Sequence, residues 1–315
     1  MNLLITGGAG FIGSNFIHYI LNKYPDYNII NLDLLTYAGN LDNLKPIENN
    51  PNYKFVKGDI GDYDLVSQII KDENINIIVN FAAESHVDNS IAGPDVFVRT
   101  NILGTHNLLK VAKEKNIRFH HVSTDEVFGH LEDDDPRFDE NTPYNPRSPY
   151  AASKAASDHL ARAYWHTYNL PITISNCSNN YGPYQHKEKF IPLFITNLLQ
   201  DKKVPLYGEG KNIRDWLYVE DHCQAIDLII HKGKIGETYL VGGNSEKGNI
   251  DIAKLLIDKL GKDESMIEKV ADRPGHDYRY AIDFSKIKNE LGWEPRVSFE
   301  EGIDKTIEWY RDNEK

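Results

Sequence analysis

A glycine-rich turn near the start of the chain limits the possible folds more than any other feature. Gly7, Gly10 and Gly13 follow the short apolar run 3–6 and lead directly into an amphipathic stretch. Without side chains in the way, the backbone N–H groups of such a turn and the N-terminus of the next helix can face a pyrophosphate. The alternative is a turn that only packs a helix against a strand. We favour a dinucleotide site, whose candidate contacts are Gly7, Gly10, Phe11, Ile12 and Gly13.

An acidic residue follows at the position that distinguishes the two nicotinamide dinucleotides. Asp33 ends the second predicted strand, 28–32. A carboxylate there accepts hydrogen bonds from the adenosine ribose and repels a 2′-phosphate, so the sequence predicts NAD rather than NADP as the cofactor. Asp59 and Ile60 come just after the third predicted strand, 54–57, and are predicted to lie at the adenine end.

Through residue 178, short β-branched runs alternate with longer amphipathic stretches. This alternation is typical of βαβ units, in which helices cover both faces of a parallel sheet. It predicts an α/β fold with a Rossmann-type doubly wound parallel sheet. The predicted strands are 3–6, 28–32, 54–57, 77–81, 119–122 and 172–175, and the predicted helices are 11–23, 62–72, 95–115 and 149–168.

The second half of the chain has a different texture. Beyond residue 178, loops rich in Gly, Pro, Asn and Tyr join short predicted helices. Because no low-complexity linker separates the halves, we expect the chain to cross between them more than once. The prediction is an NAD-binding Rossmann domain of residues 1–178, to which 215–242 returns, and a smaller α/β substrate-binding lobe of residues 179–214 and 243–315, with helices at 189–200, 220–231 and 249–260.

Charge and composition argue against several classes of partner. A net charge of -12 adds repulsion to nucleic acid and to anionic membranes, so we expect neither as a partner. No apolar run approaches the roughly 18 residues of a membrane-spanning helix. Cys177 and Cys223 lack neighbours at metal-ligand spacing, and the acidic run 132–135 is predicted to be a solvated loop. We therefore expect a cytoplasmic protein that binds a small molecule and no metal.

A tyrosine and a lysine are predicted to share one face of the helix at 149–168. Tyr150 and Lys154 are four residues apart, and Ser148 with Pro149 supplies a helix start. A nearby ammonium and a cationic nicotinamide ring favour the phenolate, whereas burial alone opposes it. A phenolate can take the proton of a hydroxyl while hydride leaves the same carbon. Such pairs also arise by chance on helix surfaces, but after a dinucleotide turn we interpret this one as the catalytic pair of an alcohol-oxidising enzyme.

Polar residues follow the predicted strand 119–122 at its carboxyl end, where ligands bind in open α/β sheets. Ser123 or Thr124 can supply the hydroxyl donor that alcohol oxidation needs. Asp125 and Glu126 exceed that need, and two carboxylates beside a hydride-transfer centre indicate one further acid and one further base. The alternative is an acidic segment that stabilises a nearby helix N-terminus. Spacing alone leaves both interpretations open.

Four further motifs accompany these features: 82–88 (Ala-Ala-Glu-Ser-His-Val-Asp), 176–183 (Asn-Cys-Ser-Asn-Asn-Tyr-Gly-Pro), 214–216 (Arg-Asp-Trp) and 273–277 (Arg-Pro-Gly-His-Asp). With them, the chain resembles the extended short-chain dehydrogenase/reductase family over almost its whole length, and within it the nucleotide-sugar 4,6-dehydratases that act on dTDP-glucose. Related epimerases carry small neutral residues at positions 125 and 126, and related decarboxylases keep only the glutamate. The acidic pair therefore favours a dehydratase.

The resemblance implies a dehydration with an internal redox cycle. Tyr150 would take the C4 hydroxyl proton while C4 gives hydride to NAD, and Thr124 would help to hold the C4 oxygen. Glu126 would then remove the C5 proton, and Asp125 would protonate the departing C6 hydroxyl. Return of the hydride to C6 would give dTDP-4-dehydro-6-deoxyglucose.

The resemblance also implies the remaining site residues and a homodimer that packs the helices near 95–115 and 149–168. Deoxysugar synthesis, with dTDP-rhamnose as a common product, is the expected setting. The alternatives are a sugar-nucleotide 4-epimerase, a 4,6-dehydratase for another nucleotide base and a non-catalytic dinucleotide sensor. The implied cofactor contacts are Ala82, Ser85, Thr100 and Asn180, and the implied nucleotide-sugar contacts are Ser85, Asn179, Lys189, Asn249, Arg273 and His276, with Arg214 facing the diphosphate.

Overall fold

The computed structural model describes residues 1–272 and 274–313, which form a large sheet, two small sheets and the helices around them. The strands are β1 (Asn2–Thr6), β2 (Asn28–Asp33), β3 (Tyr53–Lys57), β4 (Ile77–Asn80), β5 (Arg118–Thr124), β6 (Ile172–Cys177), β7 (Asn179–Tyr181), β8 (Val204–Tyr207), β9 (Ile213–Tyr218), β10 (Thr238–Val241), β11 (Glu246–Gly248) and β12 (Ile267–Val270).

Helices occupy most of the segments between the strands. The α-helices are α1 (Phe11–Lys23), α2 (Tyr63–Asp72), α3 (Val87–Ala92), α4 (Asp95–Phe97), α5 (Thr105–Lys115), α6 (Pro149–Tyr168), α7 (Phe190–Leu199), α8 (Val219–Lys232), α9 (Asn249–Lys259), α10 (Ser285–Leu291) and α11 (Phe299–Asn313). A π-helix spans Val98–Gly104, and 3-10 helices span Leu41–Ile47, Asp125–Phe128 and Glu264–Met266.

The large sheet has seven strands in the order β10-β6-β5-β4-β1-β2-β3, and every neighbouring pair is parallel. From β1 the chain runs outward through β2 and β3, and it then returns to β4 on the other side of β1. The strand order therefore reverses between β1 and β4. In open α/β sheets, ligands bind outside the carboxyl ends of the strands at such a point. The predicted doubly wound fold is confirmed.

Apolar side chains on both faces of the large sheet hold the helices against it. On one face, Ile17 of α1 and Ile226 of α8 belong to the same buried cluster as Leu3 of β1. On the other face, Leu4 of β1 packs in a cluster with Leu108 of α5. Because β1 is buried on both faces, its residues form a continuous apolar run rather than an alternating pattern.

The rest of the chain builds a second layer beside the carboxyl ends of the large sheet. A three-stranded sheet has the order β11-β9-β7, and β12 pairs with β8. Phe194 of α7, Leu256 of α9 and Ile303 of α11 share the main apolar cluster of this region. β10 instead pairs with β6 at the edge of the large sheet. The division of the chain into two domains at the predicted boundaries stays a prediction.

The prediction of one α-helix over 95–115 is wrong at Val98–Gly104, where the backbone forms a π-helix. A Cβ atom on Gly104 would lie 2.6 Å from Cδ1 of Ile60, so this turn packs directly on the loop after β3. Apolar spacing does not reveal the wider turn, because the inward-facing side chains recur at nearly the same interval.

The described residues show neither a membrane-spanning helix nor a cluster of three or more metal-binding side chains. Within 1–272 and 274–313, no helix is both long and apolar enough to cross a bilayer. The same residues contain no group of three or more His, Cys, Asp or Glu side chains that could hold a metal ion. Cys177 and Cys223 are buried free cysteines.

Candidate active site

A cavity of about 310 Å³ lies at the carboxyl ends of the strands, where the loops after β1 to β6 converge. Its position is the one expected from the reversal of strand order between β1 and β4. The structure brings most of the predicted site residues to its walls: Gly7, Gly10, Phe11, Ile12, Gly13, Asp33, Asp59, Ile60, Ala82, Ser85, Thr100, Thr124, Glu126, Tyr150, Lys154, Asn179, Asn180 and Lys189.

The three glycines of the turn after β1 have different roles. Gly7 has φ +70°, and a Cβ atom on it would lie 2.6 Å from the backbone N of Ala82. A Cβ on Gly13 would lie 2.4 Å from the carbonyl O of Gly7. On Gly10 a Cβ would meet only that carbonyl, at 3.3 Å. Gly7 and Gly13 are therefore required by packing, whereas Gly10 keeps the space in front of the α1 N-terminus open to a ligand.

Asp33 is held at the rim of the cavity by two backbone donors. Its Oδ2 accepts from the N–H of Ala9 at 2.9 Å, and its Oδ1 accepts from the N–H of Leu35 at 2.8 Å. Burial raises the pKa of this carboxyl, and the two hydrogen bonds counteract that effect. Each oxygen keeps a further acceptor site for a ribose hydroxyl. Across the rim, Asp59 accepts from the N–H of Gly61 at 2.7 Å, which leaves its carboxylate beside the predicted adenine end.

Tyr150 and Lys154 lie on one buried face of the first two turns of α6. Ser148 caps the N-terminus of this helix, where its Oγ accepts from the N–H of Ala151 at 3.1 Å. The Nζ of Lys154 donates to the carbonyl O of Val122 at 2.8 Å, which ties the helix to the end of β5. The predicted arrangement of the two side chains on one helix face is thus present, and both line the cavity.

Burial dominates the electrostatics of this pair. It raises the pKa of Tyr150 well above its usual value, the charge of Glu126 acts in the same direction, and hydrogen bonding with Thr124 opposes both. Burial also lowers the pKa of Lys154, while the charge of Asp158 raises it. The residues of the protein by themselves therefore favour the neutral phenol, as expected for a buried tyrosine.

The acidic pair begins a single-turn 3-10 helix at the end of β5. Thr124 caps this turn, and its Oγ1 accepts from the N–H of Glu126 at 3.3 Å and donates to Oδ1 of Asp125 at 3.4 Å. Asp125 is 1% exposed, and its Oδ2 makes no hydrogen bond within the described chain. Glu126 lines the cavity. The cap is therefore the threonine hydroxyl, and neither carboxylate caps the turn.

The surroundings of Asp125 favour its protonated form. Burial raises its pKa well above the usual value, and the charges of Glu126 and Asp215 raise it further, while that of Arg214 lowers it. A buried carboxyl next to other carboxylates favours the protonated form, which is the form that a general acid needs.

Arg214 is not among the residues that line the cavity in the described part of the chain. Its guanidinium donates to the carbonyl oxygens of Ile213 at 2.7 Å, Asp277 at 2.9 Å and Tyr278 at 3.2 Å. It also lies over the ring of Tyr280, 4.2 Å from the ring centre. The backbone carbonyls thus occupy guanidinium donors that the family resemblance assigns to a diphosphate, and a role for Arg214 in substrate binding stays a prediction.

For three other predicted substrate contacts, the described part of the chain shows no position on the cavity wall. Asn249 begins α9, where its backbone N–H donates to the carbonyl O of Asn212 at 2.9 Å. The Nδ1 of His276 lies 2.6 Å from Oδ1 of Asp272. Arg273 lies outside the described residues. Substrate binding by these residues stays a prediction.

Several cavity residues escaped the sequence analysis. Tyr37, His186 and Glu188 line the cavity, and the Tyr37 hydroxyl lies 3.2 Å from Oγ of Ser85. Lys189 reaches the same corner, where its Nζ donates to the carbonyl O of Ser85 at 2.9 Å. These residues come from loops far apart in sequence. The available signal was that Tyr37 follows Asp33 closely and that His186 precedes the predicted contact Lys189.

Asn179 and Asn180 form the wall of the cavity at the start of β7. The Oδ1 of Asn179 is buried and has no hydrogen-bond partner within the described residues. Asn180 is held in place because its Oδ1 lies 2.9 Å from Nδ1 of His222, and its Nδ2 donates to the carbonyl O of Ser178 at 2.9 Å. Burial lowers the pKa of His222 to about 3, so the imidazole is neutral and its Nδ1–H can donate to Asn180. The unsatisfied oxygen of Asn179 suits a donor on a bound ligand.

A family model described as GDP-mannose 4,6 dehydratase matches residues 4–306. The chain belongs to this family. The expectation of an extended short-chain dehydrogenase/reductase is thereby confirmed.

Within the GDP-mannose 4,6 dehydratase family, the chain is similar to proteins named dTDP-glucose 4,6-dehydratase. A relative from Xanthomonas campestris pv. campestris (strain B100) is 52% identical over 99% of this chain and 93% of its own length, and one from Escherichia coli is 50% identical over 100% and 95%. A structure from Bacillus anthracis str. Ames in complex with NAD is 53% identical, with a TM-score of 0.94 and coverage of 100% and 97%. A structure from Streptomyces venezuelae with NAD and dTDP bound is 51% identical, with a TM-score of 0.96 and coverage of 99% and 98%.

Epimerases share the fold at lower identity. The UDP-glucose 4-epimerase of Thermotoga maritima, solved with UDP-glucose, is 29% identical, with a TM-score of 0.93 and full coverage of both chains. The backbone fold therefore does not separate the two reactions. Sequence identity does separate them, at 51–53% for the dehydratase structures against 29% for this epimerase.

Proposed function

We propose that this protein is an NAD-dependent dTDP-glucose 4,6-dehydratase, a hydro-lyase that forms dTDP-4-dehydro-6-deoxyglucose. The observation that carries the proposal is the buried carboxyl of Asp125, which directly precedes Glu126 in sequence, while Glu126, Tyr150 and Lys154 line the cavity. Relatives with this name, at about 50% identity over the full chain, support it. The preference for thymine as the base rests on those relatives.

The residues around the glycine turn suit NAD. The space in front of Gly10 and the α1 N-terminus would hold the pyrophosphate, and Asp33 would bind the adenosine ribose. When bound, NAD supplies a hydride acceptor for C4 of the sugar and later a hydride donor for C6. Further contacts are proposed from Asp59 and Ile60 at the adenine and, along the rest of the cofactor, from Ala82, Ser85, Thr100 and Asn180.

Tyr150 and Lys154 would carry out the oxidation at C4. Tyr150 takes the proton from the C4 hydroxyl, and Thr124 holds the same oxygen with its hydroxyl. Lys154 would stabilise the negative charge that develops on the phenol, against the effect of burial, which raises the pKa of Tyr150. The hydrogen bond from Nζ of Lys154 to the carbonyl O of Val122 keeps this ammonium beside the carboxyl end of β5.

Asp125 and Glu126 would carry out the elimination. The ketone at C4 acidifies the C5 proton, which Glu126 removes as the base from its position on the cavity wall. Asp125 donates its proton to the departing C6 hydroxyl, a role that suits its raised pKa. As C6 becomes the 6-deoxy carbon, Glu126 returns its proton to C5. The proton that Tyr150 took passes to solvent and Asp125 regains one from solvent, so the net reaction is loss of water.

The sugar nucleotide would extend from the acidic pair towards the second layer of the molecule. Ser85, Asn179 and Lys189 line the cavity and are proposed as substrate contacts. Oδ1 of Asn179 has no hydrogen-bond partner within the described residues, so it can accept a hydrogen bond from the substrate. Arg214, Asn249, Arg273 and His276 are proposed to complete the nucleotide site when substrate binds.

We propose a cytoplasmic homodimer that uses the segment around the π-helix as its interface. Val96, Val98 and Leu103 are exposed apolar side chains there, with Leu103 58% exposed. Contiguous exposed apolar side chains on a folded protein commonly mark an interaction surface. The segment also carries Thr100 to the cavity wall, so pairing of two copies would stabilise the cofactor site.

Product analysis with three substrates tests the function. The protein is incubated separately with dTDP-glucose, UDP-glucose and GDP-mannose without added NADH, and products are analysed by mass and by NMR, because a C4 epimer has the same mass as its substrate. The expected result is loss of one water from dTDP-glucose in preference to the others. A product of unchanged mass that differs at C4 would identify a 4-epimerase instead. Cofactor binding without turnover of any of the three would favour a dinucleotide sensor.

A further inference from the structure

A third ionisable side chain lies on the face of α6 that carries Tyr150 and Lys154. Asp158 is one helical turn beyond Lys154, and its side chain is fully buried. Residues four apart on a helix are neighbours, so Asp158 lies behind the lysine as the lysine lies behind the tyrosine. The three side chains form a row from the protein interior to the cavity.

The carboxylate of Asp158 collects donors from three other segments. Its Oδ2 accepts from Oγ of Ser123 at 3.0 Å, from the hydroxyl of Tyr144 at 2.8 Å and from Nδ2 of Asn176 at 3.0 Å. Nε2 of His121 lies 3.3 Å from its Oδ1. Burial alone would raise the pKa of Asp158, but the contact with His121 and the charge of Lys154 outweigh it, so the pKa is below its usual value. The group is therefore an anion in the folded protein.

Lys154 needs an opposite charge because its surroundings disfavour an ammonium. Burial lowers its pKa, and the first effect that raises it is the charge of Asp158. The other groups that face it are neutral or weakly acidic: burial lowers the pKa of His121 on β5, and burial raises the pKa of Cys177 on β6 to about 12. Tyr150 lies on its cavity side. No ion pair of 4.0 Å or less joins Lys154 and Asp158 in the described part of the chain, so the carboxylate favours the ammonium through its charge at longer range, one helical turn away.

The same carboxylate also fixes the end of β5. Asn176, which donates to Asp158, donates through the same Nδ2 to the carbonyl O of Thr124 at 3.0 Å. Ser123, the residue before Thr124, donates to Asp158 directly. The residues that carry the catalytic threonine and acidic pair are thus tied to the charge behind the lysine.

We propose that Asp158 is a positioning residue, the buried counter-charge that keeps Lys154 protonated behind Tyr150 and ties the end of β5 to α6. This inference rests on the proposed function, because it gives Lys154 a role in the oxidation at C4. It assigns no contact between Asp158 and the substrate.

The pH profile of C4 oxidation tests the charge. Asp158→Asn keeps the shape of the side chain but removes its negative charge. Lys154 should then lose its proton more readily and stabilise the Tyr150 phenolate less. The acid limb of the pH–rate profile for oxidation is expected to move to higher pH by about one unit, and the rate near neutral pH should fall about tenfold.

The matched control is Tyr144→Phe, which keeps the carboxylate of Asp158 but removes one of its hydrogen bonds. The substitution also removes the contact of Arg162 with the Tyr144 hydroxyl at 2.7 Å. The acid limb of the pH–rate profile of Tyr144→Phe should stay at the wild-type position. An unmoved limb in Asp158→Asn, or equal shifts in both variants, would overturn the inference.

A thermal-stability cycle tests the same pairing without any substrate. The proteins are the wild type, Lys154→Met, Asp158→Asn and the double variant. If the charge of Asp158 stabilises that of Lys154, Asp158→Asn lowers the Tm of the wild type. In the Lys154→Met background, the decrease in Tm should be smaller by at least about 3 °C. Additive losses would overturn the pairing. Should Asp158→Asn alone fail to fold, folding of the double variant would support the inference, and failure of both would overturn it. Inactivity of the wild type towards dTDP-glucose would contradict the proposed function and leave this cycle intact.

Discussion

Asp125 and Glu126 are adjacent in the chain but occupy different environments: the carboxyl of Asp125 is buried, whereas Glu126 lines the cavity. Oδ2 of Asp125 has no hydrogen-bond partner within the described residues. An acid and a base can share a site when their surroundings separate their pKa values. The two neighbours are therefore suited to opposite proton transfers in one elimination.

Replacing the acid should separate oxidation from elimination. In Asp125→Asn, the C4 oxidation that depends on Tyr150 and Lys154 should continue, while dehydration slows by about 100-fold or more, a typical effect of losing one general acid. Reduced cofactor should accumulate in a single turnover and can be followed by its absorbance. Full dehydration by this variant would remove the proposed role of Asp125.

The same substitution should stabilise the folded protein at higher pH. Burial raises the pKa of Asp125, so the folded state binds its proton more tightly than the unfolded state. The stability linked to this group is present below the unfolded pKa of about 4 and is lost as pH rises towards the folded pKa. Asp125→Asn should therefore raise Tm by about 3 °C at about pH 8, and by less at about pH 5. Calorimetry at both pH values checks this, and an equal or reversed difference would contradict a raised pKa.

Replacing the tyrosine should stop the sequence at its first step. Tyr150→Phe removes the proton acceptor for the C4 hydroxyl, so oxidation should slow by about 100-fold to 10,000-fold, with no reduced cofactor visible before product. Rapid mixing with dTDP-glucose measures the rate. A burst of reduced cofactor at the wild-type rate would show that another group takes the proton.

Two glycines of the turn should respond differently to alanine. A Cβ on Gly10 would lie 3.3 Å from the carbonyl O of Gly7, a tight contact that a small shift relieves, and would otherwise project into the space assigned to the pyrophosphate, so Gly10→Ala should fold and weaken NAD binding by about tenfold or more. Gly7→Ala is the contrast, because its Cβ would collide with the backbone of Ala82 at a positive φ. It should lower Tm. Calorimetric titration with NAD and thermal melts separate the two effects, and unchanged NAD affinity in Gly10→Ala would move the pyrophosphate elsewhere.

The proposed dimer interface can be tested by one charge. Leu103→Lys places an ammonium in the exposed apolar patch and should convert the dimer to a monomer at about micromolar concentration. Leu41→Lys is the matched control, because Leu41 is an exposed leucine, at 41%, in the 3-10 helix Leu41–Ile47. Light scattering coupled to size exclusion gives the mass. A wild type that is already monomeric would contradict the proposal.

The local parts of the site could be predicted from the sequence because each lies within one turn of chain. The glycine turn, Asp33 at a strand end and the spacing of Tyr150 and Lys154 are all properties of short segments. Spacing did not show which glycine faces a ligand. That depends on Ala82, which reaches Gly7 only when β4 pairs with β1.

The parts that could not be predicted depend on contacts between distant segments. Tyr37 and His186 meet at the cavity rim with ring centres 5.7 Å apart, although almost half the chain separates them. The burial of Asp125 and the backbone bonds of Arg214 arise from the packing of β9 and the segment after β12 against the end of β5. The hydrophobic pattern of one sequence does not show which distant segments come into contact in the fold.

An isotope tracing experiment tests the central claim, that one bound NAD moves hydride from C4 to C6 during loss of water. The protein is incubated with dTDP-glucose that carries deuterium at C4, and the product is analysed by NMR and mass. The account predicts a 6-deoxy product with the deuterium at C6 and no requirement for added NADH. A product with deuterium still at C4, or a 6-deoxy product that has lost the deuterium to solvent, would contradict it.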